Sequence, residues 1–460
     1  MTNTLPSKRS GYESGVGLHK HKRSATDIGI ALLTPLLGQE FLDKYNLRDP
    51  LNRGLKYGVK QVFSAAGAST RQFKRVQALG KPATRLKASG SDYFDLTPDD
   101  DQKMIVQTVE EFAEEILRPA AHDADAAATY PPDLIAKAAE LGVTAINIPE
   151  DFDGIAEHRG TVTNALVAEA LAYGDMGLAL PILAPGGVAS ALTHWGSADQ
   201  QATYLPEFAG ENVPQACVAI AEPHPLFDPT ALKTTAVRTP SGYRLDGVKS
   251  LVPAAADAEV FIIAAQLNGK PTLFVVESSA AGLTVTPDPS MGIRAAALGR
   301  VELDKVTVPL GARLGGDVAE AEHDRNYSEA IALSRLGWAA LAVGTSHAVL
   351  DYVVPYVKER EAFGEPIAHR QSVAFMCANI AIELDGLRLI TWRGAARAEQ
   401  GLSFAREAAL AKKLGTDKGM QIGLDGVQLL GGHGYTKEHP VERWYRDLRA
   451  LGVAEGVVVL

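Results

Sequence analysis

Gln428-Leu-Leu-Gly-Gly-His-Gly-Tyr435 ends an apolar, helix-like stretch with three glycines in four positions, and Pro440-Val-Glu-Arg-Trp-Tyr-Arg-Asp447 follows four residues later. Glycines at that density mark either a helix end that turns into a loop or backbone that must come close to something else. Spacing alone leaves both open. Upstream, Arg360-Glu-Ala-Phe-Gly364 sets an arginine near an aromatic ring, with Gln371 seven residues past the glycine. That pairing suits recognition of a phosphate and a ring, with a solvated helix end as the alternative.

Working outward, residues 327–430 read as long Ala/Leu-rich helices, with Pro355 expected to kink one or to sit in its first turn. Residues 215–312 change character. Tyr243-Arg-Leu245 runs into Asp246-Gly247, read as a turn pair, and Val260 to Ala265 is a continuous apolar run followed by Asn268-Gly269. Val301, Leu303, Val306 and Val308 sit near alternation, which predicts short strands. Residues 94–214 are helical in pattern. Thr97-Pro98-Asp99-Asp100 predicts a helix start with Thr97 as the cap and proline in the first turn. Leu134, Ala138 and Leu141 mark a second helix stopped by Gly142, and Thr163 to Tyr173 a third. The expected division is a basic extension over 1–92, a helical domain over 93–214, a β domain over 215–322 and a helical domain over 323–460.

The chain has 460 residues, 46% hydrophobic and 22% charged, a composition that excludes a mostly disordered protein. No uninterrupted apolar stretch approaches the ~20 residues of a membrane span; Ile28 to Leu37 is the best candidate and is too short. No secretory leader is evident. Two cysteines, Cys217 and Cys377, exclude a disulfide framework and point to a reducing, cytoplasmic setting. The net charge of −10 hides an asymmetry: residues 1–92 hold 16 Lys and Arg against 6 Asp and Glu, so the remainder is strongly acidic. An acidic body argues against nucleic acid as a partner. Leu51, Leu55, Val59, Val62 and Phe63, with Arg53, Lys56 and Lys60 between them, predict a basic amphipathic helix. It either docks on an anionic membrane surface or partner, as a scaffold would, or covers the protein's own acidic body. There is no dinucleotide fingerprint, no phosphate-binding P-loop, no nucleophile elbow, and no histidine cluster at metal-ligand spacing.

Taken together, the motifs resemble those of the acyl-CoA dehydrogenase family of flavoenzymes. The Glu-Arg-x-x-Phe-Gly…Gln and Gln-x-x-Gly-Gly-x-Gly-Tyr…Pro-Val-Glu-Arg…Arg-Asp patterns occur in order, supported by Gly174-Asp-Met-Gly177, Glu222-Pro223, Asp246-Gly247 and Lys249. The resemblance spans residue 94 to the C-terminus. It implies an α+β multidomain fold: N-terminal helical domain, middle β domain, C-terminal four-helix-type bundle. It implies FAD held across a dimer interface, with Arg360, Phe363, Gln371, Gln428, Gly431 and Gly432 on the adenosine side. It puts Ala221, Phe227, Val252 and Pro253 beside the flavin ring. Arg335 and Gly456 would adjoin the acyl-CoA substrate. Glu455 would be the catalytic base, by count from Arg446-Asp447. The implied reaction is α,β-dehydrogenation of an acyl-CoA in lipid metabolism, in a homo- or hetero-oligomer, with an electron-transfer flavoprotein as acceptor.

Departures from the family pattern cluster on the ring side. A glycine- and serine-bearing loop becomes Glu222-Pro-His-Pro-Leu-Phe227, and a Trp-Ile-Thr triplet becomes Leu251-Val-Pro253, whose proline has no N–H. The family's acidic residue three before the arginine is Ala332, and the chain past Glu455-Gly456 reads Val-Val-Val-Leu460. These changes fit either an enzyme with altered geometry or an impaired subunit that completes a partner's FAD site.

Overall fold

The computed structural model describes Leu96 and residues 98–460, apart from 157, 158 and 211. The basic extension, with its expected helix over 51–63, lies outside the described residues.

The first layer is helical: α1 (Asp100–Phe112), α2 (Arg118–Ala127), α3 (Leu134–Ala139), α4 (Thr161–Gly174), α5 (Met176–Trp195) and α6 (Ala198–Ala209). Asp99, not Thr97, caps α1. Its side chain accepts the Gln102 N–H at 2.8 Å and the Gln102 side chain accepts the Asp99 N–H at 3.1 Å, which leaves Pro98 outside the helix. α5 corrects the expectation about apolar stretches. It is 20 residues long and apolar enough to cross a membrane by length and composition, yet 89% of that stretch is buried inside the protein. It is apolar on every face because it is enclosed by protein on every face.

The middle part is a seven-stranded sheet of β1 (Ala216–Ala219), β2 (Thr235–Thr239), β3 (Gly242–Val252), β4 (Val260–Leu267), β5 (Lys270–Glu277), β6 (Leu283–Pro287) and β7 (Gly299–Pro309). The strands run in the order β1-β4-β2-β3-β7-β6, and β5 pairs with β4. Asn268-Gly269 makes the β4–β5 hairpin turn, both residues at positive φ, as its sequence predicts. Asp246-Gly247 is not a turn. It lies inside β3, where the register against β7 shifts: Leu245 pairs with Val306 and Gly247 with Leu303, so the extra residue, and the bulge, lie in β7 at Asp304-Lys305, opposite Asp246. The same shift explains why Val301 and Leu303 share a face with Val306 and Val308 across an odd spacing.

The last layer holds α7 (Glu320–Glu359), α8 (Gln371–Glu399), α9 (Ala405–Leu414), α10 (Met420–Leu430) and α11 (Val441–Leu448). α7 starts three residues before the expected boundary and carries Pro355 in its last turns rather than its first. It packs closely on α4: a Cβ on Gly344 would lie 2.0 Å from the Glu169 carbonyl oxygen. A small hairpin, β8 (Glu361–Ala362) and β9 (Glu365–Pro366), joins α7 to α8.

The Glu442-Arg443…Arg446-Asp447 run ties the three parts together. Arg443 Nε meets Asp175 Oδ2 at 2.9 Å, and Arg446 grips Asp125 with two contacts of 2.8 Å. Asp447 accepts the Ile293 N–H at 2.5 Å, and Arg446 also donates to the Met291 carbonyl at 3.0 Å. Helical layer, β domain and bundle thus meet at one α11 turn, which accounts for much of what that motif does.

Candidate active site

Glu455 lies on the stretch after a short 3₁₀ turn, Arg449–Gly452, and is buried. The backbone beside it is fixed from two sides. Gly456 bridges to Ala219 on β1, and the Val457 N–H donates to the Val218 carbonyl at 3.0 Å. From α7, Ser334 Oγ and Trp338 Nε1 both donate to the Gly456 carbonyl, at 2.6 and 2.9 Å. Gly456 sits at φ +84°, and a Cβ there would meet Val218 O at 3.0 Å, so only glycine fits easily. Arg335 on α7 holds the Glu455 carboxylate through Nη2 at 3.0 Å and Nε at 3.2 Å. Lys412 on α9 stands 3.8 Å from the same carboxylate and donates to the Ala454 carbonyl. Burial pushes the Lys412 ammonium down to about 8. Tyr327 is raised, by burial first and then by the Glu455 charge, and donates to the Pro229 carbonyl at 2.5 Å. The structure therefore joins Glu455, Arg335 and Gly456, as expected, and adds Ser334, Trp338 and Lys412. Lys412 is silent in sequence: one of two adjacent lysines on α9, distinguished only by the face it presents.

The β-domain edge of the site rests on a buried ion pair. Lys249 on β3, with its side chain fully buried, donates to Glu222 Oε1 at 2.8 Å and to the Ile220 carbonyl at 3.1 Å. Glu222 also accepts the N–H groups of Lys233 and Thr234, at 2.6 and 2.9 Å. Burial opposes its charge, but Lys249 and these donors outweigh it and hold the carboxyl at about 2. Burial pushes Lys249 down to about 8. Ala221 is buried and its carbonyl accepts the Ser250 N–H, while Phe227 is half-buried in a T-shaped contact with His224.

Val252 and Pro253 are buried, flanked by Leu251 and Ala254 at positive φ. The Leu251 N–H goes to Asp288 at 3.0 Å and the Ala254 N–H to the Ala296 carbonyl at 2.9 Å. Leu251, rather than Val252 or Pro253, lines a cavity of about 380 Å³ shared with Met291, Thr416, Met420, Arg449 and Val453.

The adenosine-side set gathers elsewhere. Arg360, Phe363, Gln428, Gly431 and Gly432 line one cavity of about 620 Å³, with Arg370 and Tyr356. Gly431 is at φ +58°, and a Cβ on Gly431 or Gly432 would point into open space, so these glycines keep the cavity wall clear. Gln371 opens α8 next to Ser372, which lines the cavity. Two tyrosine–histidine contacts flank it: Tyr356 to His433 at 2.8 Å and Tyr352 to His439 at 2.7 Å. Among the described residues, no group of three or more His, Cys, Asp or Glu could hold a metal ion.

Three family models match the chain: acyl-CoA dehydrogenase N-terminal domain over residues 99–212, middle domain over 217–306 and C-terminal domain over 325–457. A cyclohex-1-ene-1-carbonyl-CoA dehydrogenase of Geobacter metallireducens is 31% identical, over 78% of this chain and 94% of that protein. The structure of butyryl-CoA dehydrogenase from Megasphaera elsdenii matches at 27% identity and TM-score 0.72, covering 79% of this chain and 96% of its own. A structure of PigA with FAD and proline matches at 25% identity and TM-score 0.71, covering 78% and 95%.

Proposed function

We propose, from the premise that this chain belongs to the acyl-CoA dehydrogenase family, that it removes a proton and a hydride from adjacent carbons of an acyl-CoA thioester, with Glu455 as the base. The observation that carries the reading is the Glu455 carboxylate itself: buried, gripped by Arg335 at 3.0 Å, on backbone fixed by β1 and α7. Such a base needs a fixed position and a site poor in water. Arg335 orients the carboxylate. Ser334 and Trp338 hold the Gly456 carbonyl, and so the turn that carries Glu455.

FAD is the cofactor, and when bound it supplies the hydride acceptor. The residues fit its nucleotide half: Arg360 and Arg370 offer charge for a diphosphate, and Gly431 and Gly432 leave room for close backbone approach. Leu251, Met291 and Met420 give an apolar wall for a ring in the smaller cavity. The smaller cavity touches Met420 and the larger one Gln428 to Leu430, at opposite ends of α10. We therefore read the cofactor as shared between two copies, or between this chain and a related partner. Electrons would then pass to an electron-transfer flavoprotein. Arg360→Ala should weaken FAD retention about 10–100-fold, as loss of a charge-assisted contact of ~1.5–3 kcal/mol implies. Equilibrium dialysis of the purified variant checks this, and unchanged retention would remove Arg360 from the site.

A second reading is favoured by one observation. The N–H groups of Leu251 and Ala254 are already spent and Pro253 has none, so this edge has few donors to offer a flavin ring. An impaired subunit completing a partner's site fits that edge. The absorption spectrum before and after anaerobic acyl-CoA addition separates the two. Bleaching of a bound flavin supports the enzyme. A protein that stays colourless after incubation with FAD supports the auxiliary subunit.

A further inference from the structure

Glu455 is one carboxylate set between two cations from different helices. Arg335 reaches it from α7 at 3.0 and 3.2 Å, and Lys412 stands 3.8 Å away on α9. The Lys412 side chain is only 14% exposed, whereas that of Lys413 beside it is 71% exposed and pairs with Asp417 one turn on. An ammonium taken out of water is costly unless other groups hold it there. Two do. The Ala454 carbonyl, one residue before Glu455, accepts from its Nζ, and among the described residues Glu455 is its one ion-pair partner. Burial and the nearby Arg335 both work against the Lys412 charge, and the Glu455 charge supports it. That attraction is mutual, so Lys412 supports the charge on Glu455 in turn.

Arg335 alone would balance the carboxylate, and Lys412 adds a positive charge in excess. We propose that Lys412 is a positioning residue for the proton transfer: it holds the backbone at Ala454 and keeps Glu455 ionised, ready to take a proton. The assignment rests on the reading of Glu455 as the base. Around that carboxylate stand Arg335 and Tyr327 from α7 and Lys412 from α9, with Glu222, its partner Lys249, and Asp228 of the β domain beyond Tyr327. Once Glu455 has taken a proton, Arg335 and Lys412 face each other with no anion between them. Their repulsion favours release of that proton and restores the carboxylate.

The test uses the full chain incubated with FAD, with Lys412 replaced by Met, Gln or Arg. Infrared difference titration, with Glu455→Gln as the blank, follows protonation of the carboxyl without turnover. The acid limb of kcat/KM for butyryl-CoA follows the same event in catalysis. In Lys412→Met both midpoints should move to higher pH by about one unit or more, the scale of losing an opposite charge within ~4–6 Å. Lys412→Gln offers the Ala454 carbonyl a donor without the charge. It should shift both midpoints as far, and it keeps the test open if the Met variant does not fold. Lys412→Arg restores the charge and should bring both back toward the parent. A lysine with only a structural role would change stability or flavin retention and leave the midpoints in place. That result in a folded, flavin-bearing Lys412→Met or Lys412→Gln would overturn the assignment. If the infrared midpoint shifts as expected but no acyl-CoA bleaches the flavin in any form, the dehydrogenase reading falls and the hold of Lys412 on Glu455 stands.

Discussion

Glu455→Gln should retain FAD and fold and lose turnover by about 10²–10⁴-fold, the usual contribution of a positioned general base. The amide is nearly isosteric, and its oxygen can still accept from Arg335, which now reaches the carboxylate at 3.0 and 3.2 Å. The backbone restraints on either side are untouched, because Ser334 and Trp338 hold Gly456 through its carbonyl and not through Glu455. What is lost is the capacity to take a proton, since an amide is not a base near neutral pH. The single-turnover rate of flavin bleaching on mixing with butyryl-CoA, followed by rapid-mixing absorbance, measures that step apart from product release. A rate within tenfold of the unsubstituted protein would mean that another group takes the proton. Lys412, 3.8 Å from the carboxylate, would be the next to examine. A retained flavin spectrum in the variant is the necessary control, because it separates loss of the base from loss of the cofactor.

The helix–sheet–helix order and the candidate Glu455 were legible for different reasons. Periodicity exposed the helices and strands because apolar residues recur at 3.6 or at 2. Glu455 emerged by counting from Arg446-Asp447, a motif whose spacing is fixed because α11 joins three parts of the fold through Asp125, Asp175 and Ile293. Asp246-Gly247 misled because the same dipeptide serves a hairpin turn and a position inside a strand opposite a partner's bulge. Only the pairing partner distinguishes them, and here the partner is β7, far along the chain. The Lys412 contact and the close approach of Val457 and Val458 to Gly187 and Gly337 could not be read at all. Each depends on residues brought together from separate helices, which have no mutual spacing in the sequence. The residues expected on the adenosine side stand out as a set in the sequence, and one cavity gathers most of them. Of the stretch expected beside the ring, Leu251 lines the smaller cavity, while Val252 and Pro253 are buried.

Lys249→Met should destabilise the protein by about 3–5 kcal/mol, the cost of leaving one member of a buried pair uncompensated. Glu222 would remain, with its side chain 1% exposed and its ammonium partner gone. The N–H groups of Lys233 and Thr234 would still donate to it, but neither carries a full charge. Glu222→Gln/Lys249→Met should recover part of the loss. The amide oxygen keeps an acceptor for one of those two N–H groups, which bond different carboxylate oxygens, and neither residue then carries a charge out of water. Urea unfolding midpoints of the two variants and the parent give the comparison. The acid limb supplies a separate check. With its folded pKa near 2 against an ordinary 4.5, Glu222 contributes stability that is fully present above about pH 4.5 and is lost as pH falls through about 2. Removing Lys249 takes away the cation that depresses that value, so stability should fall less steeply across this window in Lys249→Met than in the parent. A loss below about 1 kcal/mol, the scale of an exposed ion pair, would mean that the pair does not hold the two ring-side loops together. The β-domain edge at Ala221 and Ser250 would then owe its position to the Ser250 N–H bond to the Ala221 carbonyl and to Asp288 instead.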